Sequence, residues 1–152
     1  MKRIGFSHLL LFFACSLFVA TTVVHAEGGK EEWTLAGFTK YRDALFIEKK
    51  SISYPSADLA RVWSLVAPSE KSKYRNEVKS ELRELKKSIK GYRYTEVLNE
   101  IDCKGSRIRF LQIAHLTETG YIIHSAFSSD QEWKTIYPGS LWQNIQKTVC
   151  RN

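Results

Sequence analysis

The sequence predicts an α+β fold: an antiparallel sheet of about six strands with a disulfide-tethered C-terminal helix and a basic helical insertion. Short runs rich in β-branched and aromatic residues, separated by turn residues, predict the strands. One stretch between them carries apolar residues at helical spacing among many lysines and arginines, which predicts the insertion. A capped helical pattern near the end of the chain runs into a cysteine, which predicts the tethered helix.

The first 26 residues have the pattern of a signal peptide. Lys2 and Arg3 provide the positive start, residues 9–20 form an apolar run, and small residues stand where signal peptidase reads before a cut after Ala26. That run is 12 residues long, whereas a helix that spans a bilayer needs roughly 20, so we expect no transmembrane segment. We therefore predict export and a single mature domain over residues 27–152.

Cys15 follows Ala14 and raises the alternative of a lipid anchor. Phe12 and Phe13 precede it where lipid attachment sites prefer leucine and a small residue, so lipidation is not expected. The exported domain would then reside in the periplasm, at the cell surface or outside the cell. Loss of the signal peptide, with its two basic residues, lowers the formal net charge from +7 to +5.

Two aromatic and aliphatic runs predict the first strands, Trp33–Phe38 and residues 44–49, with a turn over residues 39–43. Residues 53–56 contain serine and proline in a pattern typical of a loop. Residues 61–66 are again rich in β-forming side chains and predict the next strand.

Residues 69–90 predict a helix that Ser69 caps and Gly91 ends. Eight basic residues face four acidic ones in this stretch, so its net charge of +4 accounts for most of the basic excess of the mature domain. Its apolar side chains recur every three or four residues and predict one buried stripe: Tyr74, Val78, Leu82, Leu85 and Ile89.

A strand over residues 92–103 and a hairpin over residues 107–116 and 121–127 complete the predicted sheet. If Leu116 pairs with Tyr121, strict alternation places one set of side chains on the core face of the hairpin: Ile108, Phe110, Ala114, Leu116, Tyr121, Ile123 and Phe127.

The last helix is predicted to begin after Ser140, with Gln143 completing a capping box. Leu141, Ile145 and Val149 would form its buried stripe. Cys150 lies in its last turn, and Cys103 ends the preceding long strand.

Once the signal peptide is removed, two cysteines remain, Cys103 and Cys150. In an oxidising compartment a disulfide between them is expected, and two buried free thiols are the alternative. A bridge that closes a loop of this length would stabilise the fold by roughly 4 kcal/mol, less any strain.

Five sequence patterns together resemble the surface-adhesin protein E family of Gram-negative bacteria. They are Ile101-Asp102-Cys103, the segment from Trp133 and Ile136 through Pro138-Gly139-Ser140, the pair Val149-Cys150, Trp33 near the mature start, and Arg61-Val62-Trp63. The resemblance implies a curved antiparallel sheet, a helix held against it by a disulfide, and location at the cell envelope. It also implies binding to host matrix or serum proteins such as vitronectin and laminin.

Catalytic and metal-binding patterns are weak. His115 and His124 would lie on one hairpin face as diagonal neighbours, but a zinc site needs at least one more ligand. We predict that both lie on a half-polar face beside Arg107 and Arg109, and we expect no metal and no cofactor. Ser140 is explained by capping, so we predict that the protein is not an enzyme.

Two functional hypotheses follow. The first is an exported, non-enzymatic binding domain at the bacterial envelope, which contacts a macromolecule and is adhesin-like towards host matrix or serum proteins. The alternative is a periplasmic small-ligand carrier or accessory factor that uses the cleft between sheet and helix. Any exposed member of the four tryptophans would mark such a cleft, although core packing would absorb most of them.

The basic helix has three readings. It could be a solvated surface, a partner-binding arm, or a polyanion-binding site formed by Lys79, Arg83, Lys86 and Lys87. Nucleic acid is not expected as a partner, because export removes the chain from the cytoplasm and no aromatic residues interleave with these cations.

Overall fold

The computed structural model describes residues 33–129 and 131–150, so the predicted signal peptide and Cys15 lie outside the described residues. In this part the chain is an α+β domain with one antiparallel sheet and two α-helices, as predicted. The strands are β1 Trp33–Phe38, β2 Ala44–Glu48, β3 Ser53–Ser56, β4 Leu59–Ala67, β5 Tyr92–Asp102, β6 Arg107–Thr117, β7 Ile122–Phe127 and β8 Lys134–Thr135. The helices are α1 Lys73–Glu84 and α2 Leu141–Val149. Neither of these described helices is long and apolar enough to cross a membrane.

The sheet has the strand order β1-β2-β4-β5-β6-β7, which matches the six strands expected. Two short strands add to it, because β3 pairs with β4 and β8 pairs with β6. The prediction of a loop over residues 53–56 was wrong, since Ser53 pairs with Arg61 and Ser56 with Leu59. Pro55 is tolerated because β3 has an open edge, where a missing N–H leaves no ladder bond unmade.

Both helices pack on one side of the sheet, which we call the helix face; on β4 it is formed by Ala60, Val62, Ser64 and Val66. The opposite side, formed on β4 by Leu59, Arg61, Trp63 and Leu65, is called the open face. Two apolar clusters lie on the helix face. The larger lies under α2 and includes Leu45, Ile47, Ala60, Val62, Ile101, Ile108, Ile136, Ile145 and Val149; the smaller lies under α1 and includes Val78, Leu82 and Tyr92.

Helix α1 is shorter than predicted. Its N-cap is Ser72, whose hydroxyl accepts from the backbone N–H of Arg75, and not Ser69. Ser69 is occupied elsewhere: its N–H donates to Asp43 Oδ1 at 2.9 Å and its hydroxyl to the Tyr41 carbonyl at 2.7 Å, which ties it to the β1–β2 turn. The helix ends before Lys86, which has a left-handed φ of 54°.

This early end changes the predicted stripe. Val78 and Leu82 are buried, but Leu85 is 44% exposed because it follows the last helical residue. Ile89 lies beyond α1 in the following loop, where it still packs against the small cluster. The helical period was therefore correct for three turns and wrong after them.

Helix α2 agrees closely with its prediction. Ser140 is the N-cap and accepts from the N–H of Gln143, and Ile145 and Val149 are buried. Gln143 Oε1 accepts from the N–H of Gly139 at 2.9 Å, one residue earlier than in a capping box. The Cys103–Cys150 disulfide is present and joins the end of α2 to the sheet next to the end of β5.

The predicted face of the hairpin is wrong beyond its first half, although Ala114 and Leu116 are buried and Ile123 packs against the smaller cluster, as expected of core residues. Asn99 pairs with Phe110 but Leu98 pairs with Gln112, so Leu111 is an extra residue that shifts the alternation of β6. Ile108 and Phe110, and then Ile113 and His115, point to the helix face, whereas Ala114 and Leu116 point to the open face. The prediction that Leu116 pairs with Tyr121 also fails, because its partner is Ile122. Tyr121 and Phe127 are 72% and 80% exposed instead of buried.

Candidate functional site

A buried carboxylate organises the open face. Arg61, Glu100 and Arg109 stand side by side on β4, β5 and β6. The side chain of Glu100 is 1% exposed and accepts from Arg61 Nε at 2.6 Å and from Arg109 Nε at 2.8 Å. A second nitrogen of Arg109, Nη2, contacts the same carboxylate oxygen. Burial raises the pKa of Glu100, but the hydrogen bonds from Arg109 and Arg61 outweigh it and hold the pKa below its ordinary value.

An indole extends this array towards β8. The guanidinium groups of Arg109 and Arg107 lie 4.6 and 5.5 Å from the ring centroid of Trp133. Asp102 holds Arg107 through Nη2 at 2.6 Å and Nε at 3.2 Å, and the hydrogen bond from Arg107 lowers the pKa of Asp102. Two carboxylates, Glu100 and Asp102, thus fix three arginines, and two of these arginines contact Trp133.

Arg61 differs from the other two arginines. Its Nε is held by Glu100, yet its side chain is 42% exposed and no described residue accepts from its terminal nitrogens. A guanidinium carries five N–H donors in a rigid fork. Glu100 therefore orients Arg61, and the terminal N–H groups of Arg61 can donate to a group that approaches the open face.

Apolar side chains continue the open face beside this array. The next row consists of Trp63, Leu98, Gln112 and Phe127 on successive strands, and Gln112 is the polar member of this row. Both described helices pack on the opposite side of the sheet. Aromatic residues and arginine, with few lysines, are the composition typical of the core of a protein interface.

A cleft opens on the helix face between α1 and α2, with a volume of about 500 Å³. Its floor is apolar and consists of Leu45, Val66, Val97, Phe110 and Ile113. Tyr74 of α1 and Leu141 and Trp142 of α2 line its sides, and the rings of Trp142 and Phe110 are 5.5 Å apart. Charged residues, among them Lys40, Lys73 and Glu77, stand around it.

The two histidines are not where the sequence placed them. His115 points to the helix face, is 2% exposed and lies under α1, whereas Arg109 points to the open face. His115 pairs directly with His124 across the hairpin, with ring centroids 6.4 Å apart, because the register is shifted at this point. Among the described residues, no group of three or more histidine, cysteine or acidic side chains is close enough to hold a metal.

His115 belongs to a buried polar chain. Its Nδ1 lies 3.0 Å from Thr95 Oγ1, which lies 2.8 Å from the hydroxyl of Tyr92. Burial lowers the pKa of His115, and His124 acts in the same direction, while Glu81, 3.6 Å from Nε2, opposes them. The neutral ring is thus favoured, and these hydrogen-bonded side chains lie beneath α1, where Tyr92 packs with Val78 and Leu82.

Two of the predicted polyanion-binding residues, Lys79 and Arg83, lie in the second half of α1, and Lys86 and Lys87 follow the helix. Lys79 is half-buried and lines a shallow polar groove with Arg75 and Arg93, and the other three predicted residues are exposed: Arg83, Lys86 and Lys87. Glu118 of the β6–β7 turn lines the same groove as Lys79, and polyanion binding stays a prediction.

The Glu100 array was missed by sequence reasoning. Arg61 and Arg109 were visible as basic residues within predicted strands, but a carboxylate in a strand normally points to solvent. Only the pairing of β4, β5 and β6 brings all three together.

Comparison with known proteins gives a consistent result. A family model described as surface-adhesin protein E matches residues 33–151. Among solved structures, the selenomethionine form of protein E from Haemophilus influenzae is similar at a TM-score of 0.51 and 12% sequence identity; the match covers 78% of this chain and 84% of that one. At that identity the likeness concerns the fold alone. No curated protein matches the chain.

Proposed function

The chain belongs to the surface-adhesin protein E family, and from this membership we propose that it is an exported, non-enzymatic protein that binds a macromolecule at the bacterial envelope. The expected partner is a host matrix or serum protein. The single observation that carries the proposal is the open face, where Glu100 fixes Arg61 and Arg109 beside the half-buried Trp63 and the exposed Phe127.

The open face fits a protein partner with acidic groups. Binding energy in protein interfaces concentrates on tryptophan, tyrosine and arginine that are already held in position. Arg61 offers free donors to a carboxylate or sulfate, and Trp63 and Phe127 offer apolar surface in the neighbouring row. Because the buried carboxylate holds Arg61, little side-chain freedom is lost when a partner binds.

The test is binding of the disulfide-bonded protein to immobilised host matrix and serum fractions. The variant Arg61→Lys with Phe127→Ser keeps the charge beside Glu100 but removes the guanidinium fork and an 80% exposed ring. Tyr121→Ser is the matched control, because Tyr121 is 72% exposed in the β6–β7 turn, away from the array. We expect the double variant to bind at least tenfold more weakly and the control to bind as the wild type does.

The cations of α1 and of the residues that follow it, which we call the basic segment, are an alternative docking site with its own test. Replacement of Lys79, Arg83, Lys86 and Lys87 by glutamine should leave stability nearly unchanged, since the latter three are exposed. If the segment binds polyanions, this variant will elute from heparin at lower salt. Unchanged salt-sensitive retention would exclude the segment as the site.

Location at the surface is proposed separately. Cell fractionation should place the protein outside the cytoplasm, and brief protease treatment of intact cells should remove it. If protease cleaves the protein only after the cells are lysed, the protein is not at the surface. That result would contradict the adhesin form of the proposal and restrict binding to a partner in the periplasm.

A second candidate function rests on the cleft between α1 and α2. Its volume of about 500 Å³ and its apolar floor are typical of small-molecule sites. As a carrier, the protein would retain a ligand through purification, which native mass spectrometry detects as added mass that denaturation removes.

A further inference from the structure

The cleft leaves apolar surface open in the middle of the helix face. Phe110, Ile113, Leu141 and Trp142 are only half-buried, although they lie between the two apolar clusters. Water against such side chains is unfavourable, and a bound apolar group would displace it. The described side chains do not fill this space, so the site suits a ligand with an apolar body.

The acidic side chains around the cleft already have partners. Asp43 is 4% exposed and fully engaged, because Oδ2 accepts from Thr39 Oγ1 at 3.0 Å and Oδ1 from the N–H of Ser69 at 2.9 Å. Glu77 lies 3.6 Å from Lys73, and both side chains are more than half exposed, so their pairing is loose. Asp43 is therefore fully hydrogen-bonded, and Glu77 forms only a loose ion pair with Lys73.

Lys40 is the cation that remains. Its ammonium lies 5.0 Å from the ring centroid of Tyr41, and no described acidic residue pairs with it. Lys40 and Lys73 together can meet a negative charge where an apolar ligand would leave the cleft. Both lysines are exposed, which favours a hydrated head group rather than a buried anion.

We infer that this cleft binds a single-chain amphiphile whose acyl chain lies on Val97, Phe110 and Ile113 and whose anionic head group contacts Lys40 and Lys73. The inference rests on the carrier role proposed above and names its ligand class. A fatty acid and a monoacyl anionic phospholipid share this chemistry.

The test uses the disulfide-bonded protein, stripped of bound lipid, and a dansyl-labelled fatty acid as the fluorescent probe. Laurate, lauroyl-lysophosphatidylglycerol and dodecanol compete for the site. We expect saturable displacement by both anionic competitors and much weaker displacement by dodecanol; the stronger of the first two identifies the source of the ligand.

Ile113→Trp fills the floor and should abolish saturable probe binding, whereas Ala57→Trp, in the exposed β3–β4 turn, should not. Lys40→Glu should weaken laurate about fivefold and leave dodecanol unchanged, with Lys147→Glu near the far end of α2 as the control of equal charge. Lys40 is exposed, so this variant folds even if the tryptophan variant does not.

The outcomes separate the two proposals. If no amphiphile binds, this inference is wrong, and the native mass spectrum of the purified protein decides separately whether the carrier role stands. If dodecanol competes as well as laurate and Lys40→Glu has no effect, the carrier role survives and the anionic head group is refuted. If binding persists in a folded Ile113→Trp variant, the amphiphile lies elsewhere and the inference fails.

Discussion

Glu100 shows how one residue can order a surface from beneath. A carboxylate with no exposed area is uncommon unless it is paired, and here it receives two guanidinium groups. The charge would be costly without them, and the arginines would be mobile without it. The open face therefore depends on a residue that a partner could never touch.

Glu100→Gln is expected to lower the free energy of unfolding by about 2 kcal/mol. The effect stays below that of a fully buried pair because Arg61 and Arg109 are partly exposed. Urea unfolding at pH 7 measures it, with Glu118→Gln in the exposed turn as the control. The pKa of Glu100 is lowered in the fold, so its contribution to the free energy of unfolding is fully present above the ordinary pKa of about 4.5. This contribution is lost as the pH falls further, and the stabilities of variant and wild type should therefore converge in acid. Equal stability of the two at pH 7 would refute this role.

His115 gives a second pH dependence at a higher pH. Because burial lowers its pKa in the folded state, the unfolded chain binds a proton more readily. Stability should therefore be full above the ordinary histidine pKa of about 6.5 and decrease as pH falls below it. Unfolding midpoints at pH 7.5 and pH 5.5 measure the loss, which His115→Gln should remove and His124→Gln should retain. A loss of the same size in His115→Gln would assign the effect to another group.

At the scale of elements, the helix α2 is fitted to the sheet by a glycine. Gly37 has φ +148°, and a Cβ atom there would lie 2.6 Å from Leu141 Cδ2. The Asn144 side chain donates to the carbonyl of the neighbouring Ala36 at 3.2 Å, so β1 and α2 meet at this point. The absent side chain is what allows the helix to lie so close.

Gly37→Ala is expected to destabilise the protein by about 2 kcal/mol, from backbone strain and from overlap with Leu141. Leu141→Ala removes the overlap but not the strain. A double-mutant cycle should therefore give a combined cost smaller than the sum of the two single costs. Additive costs would mean that the strained φ alone explains the effect.

The elements themselves were largely predictable, and the reasons for the exceptions are physical. Strand β1 and the cap at Ser140 depend on local pattern, and both were found where the sequence placed them. The alternation of β6 fails at Leu111, because a bulge is decided by the partner strand and leaves no local signal. Ser69 likewise looked like a helix cap, but its contact with Asp43 is tertiary.

At the scale of the whole molecule, the site was less predictable than the fold. The open-face array needs three strands in register, and the cleft needs two helices on one face. Neither relation is present in any single window of sequence. The basic segment was visible in the sequence, and it is the part of the surface whose function the structure clarifies least.

The disulfide links these scales and gives the largest expected effect on stability. Replacing both Cys103 and Cys150 by serine should lower the free energy of unfolding by about 4 kcal/mol, because the bridge spans 47 residues of sequence. Urea unfolding with and without reductant measures it, and the reduced wild type should match the double variant. An unchanged midpoint after reduction would show that α2 needs no tether.

The same bridge determines how the domain answers a pulling force. Tension between the two chain ends passes from Cys150 straight to Cys103, next to the end of β5, so the backbone of β6, β7, β8 and α2 lies outside the covalent path that bears it. A stretched molecule would extend through β1 to β5 alone and would stop about 160 Å short of the length of the reduced chain. While the bridge holds, two parts of the candidate sites stay outside this path. They are the side of the cleft that α2 forms, and the part of the open face that contains Arg109 and Trp133.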